Sequence, residues 1–139
     1  MKHLHRISIA IVLLVLTGCS TPPTKKIMAG ADQVELRSYQ SRGFDTADKT
    51  MMLRTVIATL QDLGFIVDQA DEELGVVTGT KLAGYQVRMT VSVRAQGDRQ
   101  LLVRSSAYFN LTPIEDAVPY QDFFTSLEKA LFLTAHEAG

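Results

Sequence analysis

Apolar and polar residues alternate most regularly between Tyr85 and Gln96. Tyr85, Val87, Met89, Val91, Val93 and Ala95 fall on one side; Gln86, Arg88, Thr90, Ser92, Arg94 and Gln96 fall on the other. A period of two over that length predicts an antiparallel strand with one face on a core and the other in water. Leu101, Val103, Ala107 and Phe109 share a face in the strand predicted next. The Gly97-Asp98 pair between them has the look of a two-residue hairpin turn. That loop would set Ala95 opposite Gln100 and Arg94 opposite Leu101, placing apolar residues against polar ones on both faces. An odd loop pairs Val93 with Leu101 or Val103 instead. Because a slip of one residue turns every side chain to the other face, burial favours three or five loop residues, with Gly97 at positive φ.

Upstream, Val34-Glu35-Leu36-Arg37-Ser38-Tyr39 alternates with Val34 and Leu36 on one side and predicts a first strand. Arg42-Gly43-Phe44-Asp45-Thr46 then reads as a turn, with Asp45 or Thr46 as N-cap and Asp48 in the first turn of a helix. Leu53, Val56, Ile57, Leu60 and Leu63 recur at helical spacing, and Gly64 ends the helix. Short strands follow over Phe65–Ala70 and Val76–Lys81, separated by the polar turn Asp71–Gly75. Pro113 excludes a central strand from the irregular stretch Asn110–Val118, and Pro119 suits the first turn of a last helix. Tyr120, Phe123, Phe124, Leu127, Leu131 and Thr134 give that helix a wide apolar stripe. The order is β-α-β-β-β-β-α, and the expected fold is α+β: a single, mostly antiparallel sheet with two helices packed on one face.

The amino end follows different rules. Lys2 and Arg6 open the chain, and Ile7 to Leu16 is apolar except for Ser8. Ten residues fall short of the roughly 20 that a helix needs to cross about 30 Å of hydrocarbon. A basic opening before a short apolar run reads as an export signal. Leu16-Thr17-Gly18-Cys19 resembles the bacterial lipobox. The resemblance implies cleavage between Gly18 and Cys19, a diacylglyceryl group on Cys19 Sγ and an acyl chain on its freed amine. Ser20 follows, where retention in the inner membrane would favour Asp, so the implied address is the periplasmic face of the outer membrane. At about 0.8 kcal/mol per buried CH₂, two or three chains hold a protein on a bilayer far better than one. Ser20 to Ala31, with Pro22 and Pro23, reads as a tether. The expected division is therefore residues 1–18 as signal peptide, 19–31 as lipidated cysteine and tether, and 32–139 as the α+β periplasmic domain.

Composition narrows the function. The 139 residues carry 14 Lys+Arg against 15 Asp+Glu, and removing residues 1–18 takes Lys2 and Arg6 away, leaving a net charge near −3. That excludes an electrostatic nucleic-acid binder. One Cys rules out an internal disulfide framework. After processing, His136 is the only His and Cys19 carries lipid, so no nucleophile–base pair is available and no enzyme is expected. Asp71-Glu72-Glu73 lacks the Gly-centred loop and distal Glu of a calcium loop and reads as a solvated turn. Gly75, Gly79 and Gly84 do not form a phosphate cradle. No metal and no cofactor beyond the covalent lipid are expected. Met51 and Met52 read as packing at the helix start.

Arg88, Arg94 and Arg104 fall on the polar side of the sheet with Tyr108 and Leu102, and Arg and Tyr are enriched in protein interfaces. Those five residues are the candidate interaction surface, and its partner is expected to be a protein of the envelope. An ordinary wet sheet face is the plainer alternative. Tyr39, Arg42 and Phe44 form a second candidate patch.

Leu60-Gln61-Asp62-Leu63-Gly64-Phe65-Ile66-Val67-Asp68, followed by Leu74-Gly75-Val76-Val77-Thr78-Gly79, is similar to a motif of small Gram-negative envelope lipoproteins. Locally it resembles the helix-grip modules of the lipoprotein C subunit of the barrel-assembly machinery. From Gln40 to about His136 it resembles uncharacterised outer-membrane lipoproteins with a similar Gln-Ser-Arg-Gly-Phe-Asp-Thr pattern. The motif residues have folding roles, so the likeness implies a helix-grip-like architecture and carries over no catalytic residue. Two readings of function follow: a non-enzymatic accessory module of an envelope assembly (transport, secretion or biogenesis), or a binder of an apolar small molecule between helices and sheet. Oligomeric state does not follow from the sequence.

Overall fold

The computed structural model describes residues 33–82 and 84–137. Gly18, Cys19 and the expected signal segment and tether lie outside the described residues, as do the side chains of Thr134 and His136. A short helix over 33–40 (α1) leads into strand β1, Ser41–Phe44. Helix α2, Lys49–Asp62, follows, then β2, Ile66–Asp71, and β3, Val76–Leu82. Strands β4, Gln86–Gln96, and β5, Gln100–Phe109, form the long central hairpin. A two-residue strand β6, Thr112–Pro113, precedes the last helix α3, Val118–Glu137. The strand order is β1-β5-β4-β3-β2, with β6 beside β5, and every pairing is antiparallel. The fold is α+β with one open sheet, and these elements belong to one unit, Asp32–Gly139.

The first strand is not where the alternation of Val34 and Leu36 puts it. Residues 33–40 are helical. Tyr39 Oη donates to Glu35 Oε1 one turn back at 2.7 Å, and Ser38 Oγ donates to Glu35 O at 2.6 Å. Leu36 and Tyr39, three apart, pack on the core, while Val34 is exposed. Two alternating apolar residues are too short a signal to outweigh that helical spacing and the straight-chain Glu35, Leu36 and Arg37. The strand is instead the expected turn: Arg42 and Phe44 sit opposite Val103 and Leu101. Its extended state comes from pairing with a partner far along the chain, which no local propensity reveals.

The connection from β1 to β2 fixes where α2 must run. These strands are the two edges of the sheet, four inter-strand gaps apart, or about 19 Å. The 14 residues of α2 span about 21 Å, enough to cross one face from edge to edge. Asp48, rather than Asp45 or Thr46, is the N-cap: its Oδ1 accepts the Met51 N–H at 2.8 Å. Asp45 accepts from Gln100 Nε2, and Thr46 Oγ1 accepts the Asp48 N–H. Asp48→Ala is expected to lower the unfolding free energy by about 1 kcal/mol, read from a denaturant titration. At the other end the Gly64 N–H donates to Gln61 O and the Phe65 N–H to Leu60 O, both at 2.9 Å. This is a Schellman closure, and buried Leu60 and Phe65 supply its apolar contact.

Helix α3 covers the rest of the same face. Tyr120, Phe123, Phe124 and Leu127 are fully buried against Met52, Val56 and Leu60 of α2 and the inward residues of β4 and β5. Arg42 lies with its guanidinium 5.0 Å from the Phe124 ring centre and 2.7 Å from Glu128 Oε1, tying β1 to α3. The central hairpin has three loop residues, with Val93 opposite Val103 and Gly97 at φ 71°. Near the ends of that hairpin Tyr85, Ala95 and Phe109 are exposed although parity turns them inward, while Leu101, opposite Ala95, stays buried. Pro113 sits in the two-residue edge strand, where its missing N–H breaks no ladder.

Candidate functional site

Register places the five predicted surface residues on the sheet face away from the helices, in two groups rather than one. Arg88 is directly opposite Tyr108. Six residues further along β4, about 20 Å, Arg94 is opposite Leu102, and Arg104 is its diagonal neighbour opposite Ser92. Between the groups lie Thr90 and Ser106 as a cross-strand pair, with Thr78 Oγ1 3.2 Å from Thr90 Oγ1. The three arginines and Tyr108 are exposed. Leu102 is half-buried, because it lies between neighbouring strands, with exposed Gly43 on its β1 side. The outward positions of β1, β5 and β4 include no carboxylate, so a run of positive charge stands on one face of a domain with net negative charge. Acids stand at both edges of that face: Asp45, just past β1, accepts from Gln100 Nε2 at 2.6 Å, and at the far edge Asp68 accepts from Thr80 Oγ1 at 2.6 Å and Asp71 accepts the Leu74 N–H.

The second candidate patch is taken up by the fold. Arg42 is bound to Glu128 and Phe124, and Phe44 and Tyr39 pack on the core. The Tyr39 phenol is raised above 10.0 by its hydrogen bond to Glu35, by desolvation and by the Glu35 charge. The acidic turn is likewise pinned: Thr50 Oγ1 donates to Glu72 and Lys49 Nζ to Glu73 O. Met52 is core, as expected of helix-start packing.

Among the described residues, no three His, Cys, Asp or Glu groups are placed to hold a metal ion. Thr59 Oγ1 and Ser105 Oγ are buried without a hydrogen-bond partner among the described residues, but both are sealed from solvent. No described helix is long and apolar enough to cross a membrane.

Sequence reasoning missed the end of the sheet where the β3–β4 and β5–β6 turns meet. The Tyr85 and Phe109 rings stack with centres 5.1 Å apart, and the Asn110 N–H donates to Gln86 O. Beside Tyr85, a groove of about 350 Å³ opens between the sheet and the ends of α2 and α3, lined by Phe65, Val87, Met89, Ile114, Lys81 and Asp122. Parity had assigned Tyr85 and Phe109 to the core; what marks them otherwise is that 82–87 and 105–114 contain no charged residue. Compared with known proteins, the chain matches no family model and no curated protein.

Proposed function

We propose that the protein is a lipoprotein anchored through Cys19 on the periplasmic face of the outer membrane, acting as a non-enzymatic accessory module of an envelope assembly in transport, secretion or biogenesis. The observation that carries the interaction reading is the outer face of β5 and β4, whose outward strand positions bear no acid and where exposed Arg94 and Arg104 flank Leu102. Arginine with an adjacent apolar residue suits a carboxylate-bearing protein surface with an apolar contact at its centre. The lipid confines the module near membrane partners, which raises its effective concentration there.

Crosslinking of the lipidated protein in intact envelopes, with identification of the captured protein, tests the proposal. Arg94→Glu with Arg104→Glu is expected to lower the crosslinked yield roughly tenfold or more, since each reversed charge meets its own sign. An unchanged yield rejects this surface. Cys19→Ala is expected to abolish palmitate incorporation and release the protein from the membrane fraction; unaltered fractionation rejects the anchor.

A second reading, binding of an apolar small molecule, is favoured by the groove beside Tyr85 and by a smaller opening of about 180 Å³ between α2 and β2–β3, lined by Leu53, Ile57, Ala70 and Val77. Buried Tyr120, Phe123 and Phe124 fill the space between α3 and the sheet, so such a ligand would sit at one of these margins rather than inside the core.

A further inference from the structure

Exposed apolar residues concentrate at the sheet end where two turns lie side by side. Leu111 is 93% exposed, Leu82 71%, Tyr85 52% and Phe109 43%. The two turns are held as a unit by the Tyr85–Phe109 stack and the bond from Asn110 N–H to Gln86 O. In a chain that is 21% charged, the sixteen residues of 82–87 and 105–114 contain no Asp, Glu, Lys or Arg. The first charges met on leaving the tip along the β3–β4 hairpin are both basic, exposed Arg88 and Lys81, whose Nζ also donates to Leu63 O at 2.9 Å, and the first going back along β5 is Arg104. The acids Glu115 and Asp116 come after Ile114, which packs on the core, Asp116 is engaged by the Val118 N–H, and Asp122 lines the groove beside Tyr85 together with Lys81.

From this arrangement we infer that the paired turns insert into the headgroup region of an anionic bilayer, giving the domain a second membrane contact besides its lipid. The inference rests on the lipid-anchored reading. Leu111 and Leu82 stand clear of the body, which suits a fluid surface that closes around a protrusion. A protein partner would need a matching socket and paired polar groups. Tyr settles at the membrane interface, Phe and Leu bury in the acyl boundary beneath it, and basic side chains sit at headgroup level. The tether removes any geometric objection. Residues 20–31 reach at most about 40 Å, more than the roughly 34 Å expected across a domain of this size. Confinement by the lipid also lets a weak tip contact persist.

The chain contains no Trp, so a single substitution is a clean reporter. Full-length lipidated protein carrying Tyr85→Trp or Leu111→Trp would be reconstituted on vesicles of phosphatidylethanolamine and phosphatidylglycerol. Both reporters are expected to emit at shorter wavelength on vesicles and to lose intensity to lipids brominated about 5–10 Å below the surface. Gln96→Trp, exposed at the opposite end of β4, is expected to show neither change. Adding Leu111→Asp to Tyr85→Trp should remove the shift while the protein still floats with the vesicles. Flotation with unshifted, unquenched Trp at both tip positions overturns the insertion and leaves the anchor standing. Failure to float overturns the anchor and the insertion with it. Equal quenching of the Gln96→Trp reporter overturns the insertion, as does a blue shift of the tip reporters without vesicles, which would assign the tip to self-association.

Discussion

Gly75→Ala is expected to lower the unfolding free energy by about 3 kcal/mol, the largest loss of any single small substitution on the surface turns. Gly75 has φ 70°, a left-handed conformation that costs an L-residue about 1–2 kcal/mol. Space is the second problem. A Cβ there would lie 2.5 Å from the Val93 backbone oxygen and 2.7 Å from Lys49 Cε. The lysine can swing aside, at the cost of its bond to Glu73 O. Val93 O cannot, because Val93 sits in the middle of the central hairpin and its N–H donates to Gly75 O at 2.8 Å. Gly97→Ala separates the two effects. Gly97 has nearly the same φ, 71°, but nothing within 4 Å of its Cβ position, so it should lose only the conformational part, about 1 kcal/mol. Guanidinium titrations of both variants check this, with the midpoint moving and the slope unchanged. Equal losses would show that the contact with Val93 O is relieved without strain.

The same central hairpin explains what could be read from the chain. Its register was legible because one face is buried: eleven residues of β4 in strict alternation leave only one parity that keeps Val93 and Val103 together inside. Helix α2 was legible for the same reason, with its stripe ended by Gly64. Residues 33–44 were not, because neither Leu36 nor Phe44 declares its neighbours locally. Phe44 is extended on account of Leu101, 57 positions away. The candidate face was legible as a face. Its division into Arg88–Tyr108 and Arg94–Leu102–Arg104 needed the register as well as the parity. Parity also says nothing about how far the covering helices extend. Tyr85 and Phe109 obey the alternation of the core and still emerge into solvent, which turns a failed burial expectation into the exposed tip.

Tyr120→Phe is expected to cost about 2–3 kcal/mol, although it removes a single oxygen from a ring that stays packed. The side chain is completely buried. Along one edge of β5, β1 (Ser41–Phe44) pairs with residues 101–104, and β6 pairs only with 108–109, leaving a gap between them. The Tyr120 hydroxyl fills it. It donates to Ile114 O at 2.6 Å, accepts the Ala107 N–H at 3.3 Å, and accepts from Gln40 Nε2 at 3.2 Å. Ile114 N–H in turn donates to Ala107 O at 2.9 Å, so the hydroxyl stands in for a missing strand and ties the end of α1 to the same point. Phenylalanine would leave a buried N–H without a partner and weaken the Ile114 carbonyl, each a desolvation cost that packing does not offset. Gln40→Ala, which removes only one donor from a half-buried position, should lose about 0.5–1 kcal/mol. Native-state amide exchange locates the effect: the Ala107 N–H should exchange faster in Tyr120→Phe than global destabilisation alone requires, while Val93, across the hairpin, follows the global change. A loss under about 0.5 kcal/mol with Ala107 still protected would mean that the sheet edge closes without the hydroxyl.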